Sequence, residues 1–201
     1  YPTVLEVWGL SGSSPAQDRH RGFMEVLNSR IKVKEIFGKW KPETVEKEIA
    51  EMDSLEEVDV VFAHNDVMAM AARRAIERMH PGLADRICFV GIDAVSGRGS
   101  GLEAVMHGEL AASVLYPTGG SLAIRVAMQI LNGEDVSRQY LLSSALIDKN
   151  NAGTLFIQSE QVVDYQHQIE LQRENLESML SKYTFLQNSV GIILLLMGML
   201  L

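Results

Sequence analysis

Apolar and polar positions change period repeatedly along the first 150 residues. TVLEVWGL (3–10) alternates and then runs apolar into the turn-rich SGSSPAQ, as a strand and its loop do, and DRHRGFMEVLNSR follows at helical spacing. The alternation then repeats. IKVKEIFG reads as a strand and KPETVEKEIAEMDSL as a helix with Pro42 in its first turn. VDVVFA is a strand of β-branched residues, and NDVMAMAARRAIERMH a helix opened by the capping types Asn65 and Asp66. RICFVGID is a strand, followed by the glycine-rich AVSGRGSG and a short helix, LEAVMHG. ELAASVLY is a strand, PTGGSLAIRVAMQILNG a helix stopped by Gly133, and SRQYLLSSALID a last extended stretch. Five strand–helix alternations predict an α/β unit over residues 1–150, a mostly parallel sheet with helices on both faces.

The pattern changes near Ser159. Glycines and turn signals vanish, Gln and Glu become frequent, and Val162, Tyr165, Ile169, Gln172, Leu176, Met179, Tyr183 and Leu186 fall at three–four spacing. That is the seam of a coiled coil, broken once by Gln172, so residues 158–188 are expected to form a helical stalk that pairs in a homodimer; the bland alternative is a lone helix packed back on the domain. From Tyr183 to Leu201 no side chain is charged, and Val190 to Leu201 is wholly apolar. A spanning helix needs about 20 such residues, so 189–201 reads as the start of a transmembrane helix, against a buried C-terminal core helix. The chain begins at Tyr1 rather than Met. Both ends suggest a fragment.

Composition narrows the function classes. Hydrophobic residues at 47% and charged ones at 22% fit a packed core. A net charge of −8 with no Lys/Arg cluster argues against a nucleic-acid partner. The single cysteine, Cys88, excludes an internal disulfide framework and any multi-cysteine metal site, and its place in an apolar run predicts a small buried core residue.

Ligands of open parallel sheets bind at the carboxyl ends of the strands, so the residues just after each strand are the candidates. They are Ser11, Ser13, Ser14 and Gln17, then Trp40, then His64, Asn65 and Asp66, then Asp93, then Tyr116. A carboxylate and an amide suit pairs of hydroxyls, and aromatic rings suit the C–H face of a sugar, so a small polyhydroxylated guest is the natural reading. Each residue also has a structural one: Asn65 or Asp66 as helix cap, Asp93 as turn organiser, Trp40 as a cover for the core, His64 as a wall or surface residue. Catalytic motifs are weak. GLSGS lacks the final glycine of a nucleophile elbow, GRGSG lacks dinucleotide-loop spacing, and neither a phosphate loop nor H-E-x-x-H occurs. Neither an enzyme nor a cofactor is expected.

The segments VLEVWGLSGSSPAQDRHRGFMEVL, VDVVFAHNDVMAMAARRAIE, RICFVGIDAVSGRGSGLEAVMHGELAASVLYPTGG and AMQILNGE, in this order over residues 3–147, resemble the type I periplasmic sugar-binding proteins, a family that includes the effector domains of lactose-repressor-like regulators. The resemblance implies a second lobe, with a similar first lobe upstream, a sugar in the cleft between them, and a last stretch that crosses back toward the hinge. It also implies that Asn65 and Asp93 bind hydroxyls and that Trp40 stacks. Gln17 falls where ribose-type members carry a binding arginine, with Arg19 two residues on, and Tyr116 replaces a polar residue; both departures leave the sugar open. Asp66 is then the helix cap beside Asn65. With a stalk and an apolar end, the order looks like the periplasmic sensor of an inner-membrane receptor, such as a hybrid two-component histidine kinase. A membrane-tethered protein serving a transporter and a transcription-regulator effector domain are the alternatives.

Overall fold

The computed structural model describes the backbone of residues 1–199 and the side chains of residues 1–193. Six strands form one sheet in the order β2-β1-β3-β4-β5-β6. Strands β1 (Thr3–Trp8), β2 (Lys32–Phe37), β3 (Val60–Ala63), β4 (Cys88–Asp93) and β5 (Ala112–Leu115) are mutually parallel. Strand β6 (Leu146–Asp148) pairs antiparallel with β5. Between the parallel strands run helices α1 (Ser14–Val26), α2 (Pro42–Ala50), α3 (Asp66–Met79) and α4 (Gly101–Met106), with α5 (Gly120–Leu131) after β5 and α6 (Ala152–Met199) after β6.

Strand parity decides which face holds the core. Leu5 and Val7 of β1, Val61 and Ala63 of β3 and Phe89 of β4 point to one face and are buried there with Val45 and Ile49 of α2 and Met68, Ala72 and Ile76 of α3. The other face is covered at β1 by α1, where Phe23 stacks on Phe62 at 4.7 Å and His20 lies 4.3 Å from Trp8. Helices therefore lie on both faces, and the larger apolar core is on the α2–α3 side. Pro42 occupies the first turn of α2, where its missing N–H costs nothing, and Asn65 caps α3 by accepting the Met68 N–H at 2.9 Å.

Three expectations need correction. Cys88 is exposed rather than buried, because it opens β4 with the parity opposite to Phe89 and so faces away from the α3 core. The expected final strand over 137–148 shrinks to Leu146–Asp148, and residues 132–145 run irregularly. Helix α5 forms, ending at Gly133 with φ 77°, yet buries no residue on the sheet. Its apolar side instead lines a cleft of about 390 Å³, with Leu122, Val126 and Ile130 facing Tyr140 and Leu142.

The chain divides into two compact units, residues 1–156 and 157–201. In the first, Ala152 is buried and Leu155 and Phe156 pack against the core. The second is helical from its start through Met199. Its seam residues Val162, Tyr165, Ile169, Leu176, Met179, Tyr183 and Leu186 are all exposed. Among the described residues no helix is long and apolar enough to cross a membrane, and most of the apolar run expected to begin a span lies outside the described side chains.

Candidate functional site

The strand order reverses direction between β1 and β3, and in doubly wound sheets the crevice beside that reversal is where ligands sit. Arg19 comes from α1, which follows β1. Its guanidinium reaches across the switch point, donating to the His64 carbonyl just after β3 and to Asp93 Oδ1 at the end of β4, 3.3 Å away. The same guanidinium lies 5.3 Å from the ring centre of Trp40 and 5.0 Å from that of Tyr116, both within cation–π range. Residues that follow four different strands thus converge on one cation.

The Trp40 wall depends on unusual backbone. Lys39 and Trp40 both have positive φ, 53° and 65°, which folds the indole back over the sheet edge. A Cβ on Gly9 would overlap that indole, so the glycine is what lets the ring lie flat on the chain. Asp93 and Ala94 form a second left-handed pair, with φ 122° and 47°. Backbone of this kind costs on the order of 1–3 kcal/mol per residue and gathers at functional sites.

Burial raises the pKa of Asp93, against the opposing pull of the Arg19 charge and its hydrogen bond. Asp66, just inside α3, is pushed up to about 6. Burial is the main cause and the Asp93 charge adds to it, while hydrogen bonds from Ser113 and Ala94 and the charge of Arg19 oppose the rise.

Of the sequence candidates, Arg19, Asp93, Trp40 and Tyr116 are brought together, and Asn65 is next in chain to the His64 carbonyl that Arg19 holds. Gln17 is not. It is exposed, and its amide donates to the Ser11 carbonyl of its own loop at 3.3 Å, because two residues along a helix turn it away from Arg19. Asp66 is not the cap of α3, since Asn65 fills that position; its carboxylate turns inward to the Ala94 N–H and the Ser113 hydroxyl. His64 is neither surface nor wall. It is fully buried; its Nδ1 accepts the Gly9 N–H at 3.2 Å, which leaves Nε2 to donate to Glu6 Oε1 at 2.9 Å.

Glu6 belongs to a group that pattern reading passed over. It is fully buried on β1, in register with Glu35 of β2, and His20 Nδ1 lies 2.9 Å from its Oε2. Glu6, His20 and Glu35 bring potential metal-ligand atoms within 4.8 Å of one another. These groups already satisfy one another, with His64 Nε2 donating to Glu6 and Trp8 Nε1 donating to Glu35 at 3.0 Å, an arrangement that stands without an ion. The one signal in sequence is a carboxylate set among the mainly apolar residues of TVLEVW.

Comparison with known proteins places the fold in a family. A family model described as "Periplasmic binding protein domain" matches residues 3–135. The ribose import binding protein RbsB of Salmonella typhimurium (strain LT2) is 32% identical over 153 residues, covering 73% of this chain and 49% of that protein, and RbsB of Escherichia coli (strain K12) is 31% identical over the same shares. Among solved structures, the fructose-binding periplasmic domain of the hybrid two-component system BT1754 superposes with a TM-score of 0.78 at 32% identity, over 84% of this chain and 57% of that one. A Mycobacterium smegmatis protein in complex with β-D-fucofuranose gives 0.70 at 25% identity, over 82% and 55%. The chain spans about half the length of the curated relatives it matches. With the family model matched over residues 3–135 and a relative 32% identical over 73% of the chain, the chain belongs to the periplasmic binding protein domain family.

Proposed function

We propose that this chain carries half of a monosaccharide-binding cleft in the periplasmic sensor of a transmembrane receptor of the hybrid histidine-kinase type. The observation that carries the sugar reading is the Arg19–Asp93 pair set against the Trp40 and Tyr116 rings at the carboxyl ends of the strands. A carboxylate that accepts, a guanidinium fork that donates and flat rings beside them match adjacent hydroxyls and the C–H face of one sugar ring. The Asn65 side chain uses its oxygen as the α3 cap, so its NH₂ is the part that meets the guest. Names of relatives support the class: RbsB is a ribose import protein, and the BT1754 domain binds fructose in a hybrid two-component system.

The signalling part of the reading rests on α6. Its exposed seam suits a partner helix in a second copy, and a shift in that pairing on sugar binding is a route by which a sensor reaches an output domain. The uncharged run 183–201 supports a membrane anchor in this reading. A transport role is the second reading, favoured by the import function of the curated relatives. Titration calorimetry of the full-length protein with D-ribose, D-fructose and other monosaccharides tests the cleft. Saturable heat with one sugar, abolished in Asp93→Ala, supports it, and no heat with any sugar overturns it. A sugar-dependent change in sedimentation or helix cross-linking through position 176 separates sensing from delivery.

A further inference from the structure

Asp66 lies beneath the cleft, 2% exposed, with both carboxylate oxygens used inside the protein. Oδ2 accepts the Ala94 N–H at 2.7 Å, and Oδ1 accepts the Ser113 hydroxyl at 2.6 Å. Ser113 Oγ in turn accepts the same Ala94 N–H at 3.1 Å, so one backbone donor is held by two side chains from α3 and β5. The space is reserved for this carboxylate. A Cβ on Gly101 would overlap Oδ2, and one on Gly91 would overlap Oδ1 and stand 2.9 Å from the Asp66 Cα.

The N–H so held belongs to the second of two successive residues in left-handed backbone, Asp93 and Ala94. Neither is glycine, so the turn needs an outside constraint to keep its shape. The Tyr116 N–H donates to the Asp93 carbonyl at 3.2 Å and ties the Asp93 end to β5, while the Ala94 N–H is held by Asp66 and Ser113. We propose that Asp66 is a positioning residue for the sugar site: by gripping the Ala94 N–H it holds the Asp93–Ala94 turn in its strained form and aims the Asp93 carboxylate at Arg19 and the guest. The inference rests on Asp93 being a ligand-binding residue.

Substitution of the grip separates aiming from mere filling. In the full-length protein, Asp66→Asn keeps an oxygen for the Ala94 N–H and is expected to bind D-ribose or D-fructose, whichever the wild type takes, within about threefold. Asp66→Ala removes it and is expected to bind about tenfold more weakly or worse. Gly101→Ala, which pushes the carboxylate away while leaving it in the sequence, is expected to resemble Asp66→Ala. Wild-type affinity in a folded Asp66→Ala, or Asp66→Asn as weak as Asp66→Ala, overturns the proposal.

A second measurement needs neither sugar nor the alanine variant. The Ala94 amide proton in a nuclear magnetic resonance titration should move with a midpoint near pH about 6 in the wild type, as Asp66 ionises facing Asp93, Arg19 and Ser113. In Asp66→Asn the step centred near pH about 6 should be lost, leaving only the shift that the neighbouring Asp93 carboxylate causes. An Ala94 amide indifferent to pH in the wild type sinks the grip, whatever the sugar result. Failure of the wild type to bind any sugar sinks the reading of the cleft and leaves this measurement to decide the grip.

Discussion

Helices α3 and α5 are both amphipathic and both follow a strand of the same sheet, yet they end in opposite states. Helix α3 buries eight residues, among them Asp66, Met68, Ala72 and Ile76. Helix α5 buries none, and Ile124, Met128, Ile130 and Leu131 are exposed. The starts differ in kind too: Asn65 caps α3 through its side chain, whereas α5 starts at Gly119, left-handed at φ 66°, with no side-chain cap. An apolar stripe at helical spacing thus fixes that a segment is a helix and that it needs cover. It does not say whether the cover lies within the same lobe.

The comparison can be broken in four places, taken here from the largest effect down. Ile76→Ala in α3 leaves a cavity in a fully buried site and should cost about 2–5 kcal/mol in urea unfolding; a cost below that range means the α2–α3 core is looser than its burial implies. Next is the ionisation of Asp66 at the first turn of α3. Its folded pKa of about 6 lies above the ordinary 3.8, so the native state holds a proton that the unfolded chain has released. The stability from this group is full below pH about 4 and is lost as pH rises through about 6, a change on the order of 3 kcal/mol. Unfolding free energies measured across that window should show the fall in the wild type and lack that component in Asp66→Asn. Third, Asn65→Ala removes the α3 cap and should cost about 1 kcal/mol by the same assay. Last, Ile130→Ala in α5 should stay within about 0.5 kcal/mol in the 201-residue chain. A core-sized cost for Ile130→Ala would show that the helix is covered.

Legibility followed the range of the forces involved. Local signals carried well: Pro42 at the head of α2, Asn65 as a cap, Gly133 as a stop and the alternating strands all report on neighbours a few residues away. The fold family was legible in the resemblance carried by FAHND, VGID and GELAASVLYPTGG; Trp40, Asp93 and Tyr116 converge as the strand-end rule, which needs only the order of elements, expects, and Arg19 joins them from the resemblance. What failed was long-range or angular. Gln17 sits at the right chain distance but points along its own loop. Cys88 was misplaced by a one-residue question of parity. Asp66 reads as a cap until β4, β5 and α4 arrive around it, and the glycines that make room for it, Gly91 and Gly101, give no sign in sequence of which side chain they accommodate.

The flat packing of Trp40 on Gly9 has a consequence for the thermodynamics of recognition. The indole is wedged against bare backbone and fixed by two left-handed residues, so it has little rotational freedom to surrender when a guest arrives. Ordering a free aromatic side chain on binding costs roughly 0.5–1.5 kcal/mol, and the backbone around Trp40 already supplies that ordering. On the sugar-binding reading proposed above, the ring is a shape to which the guest conforms, which favours selection by ring pucker and hydroxyl stereochemistry over accommodation of many sugars.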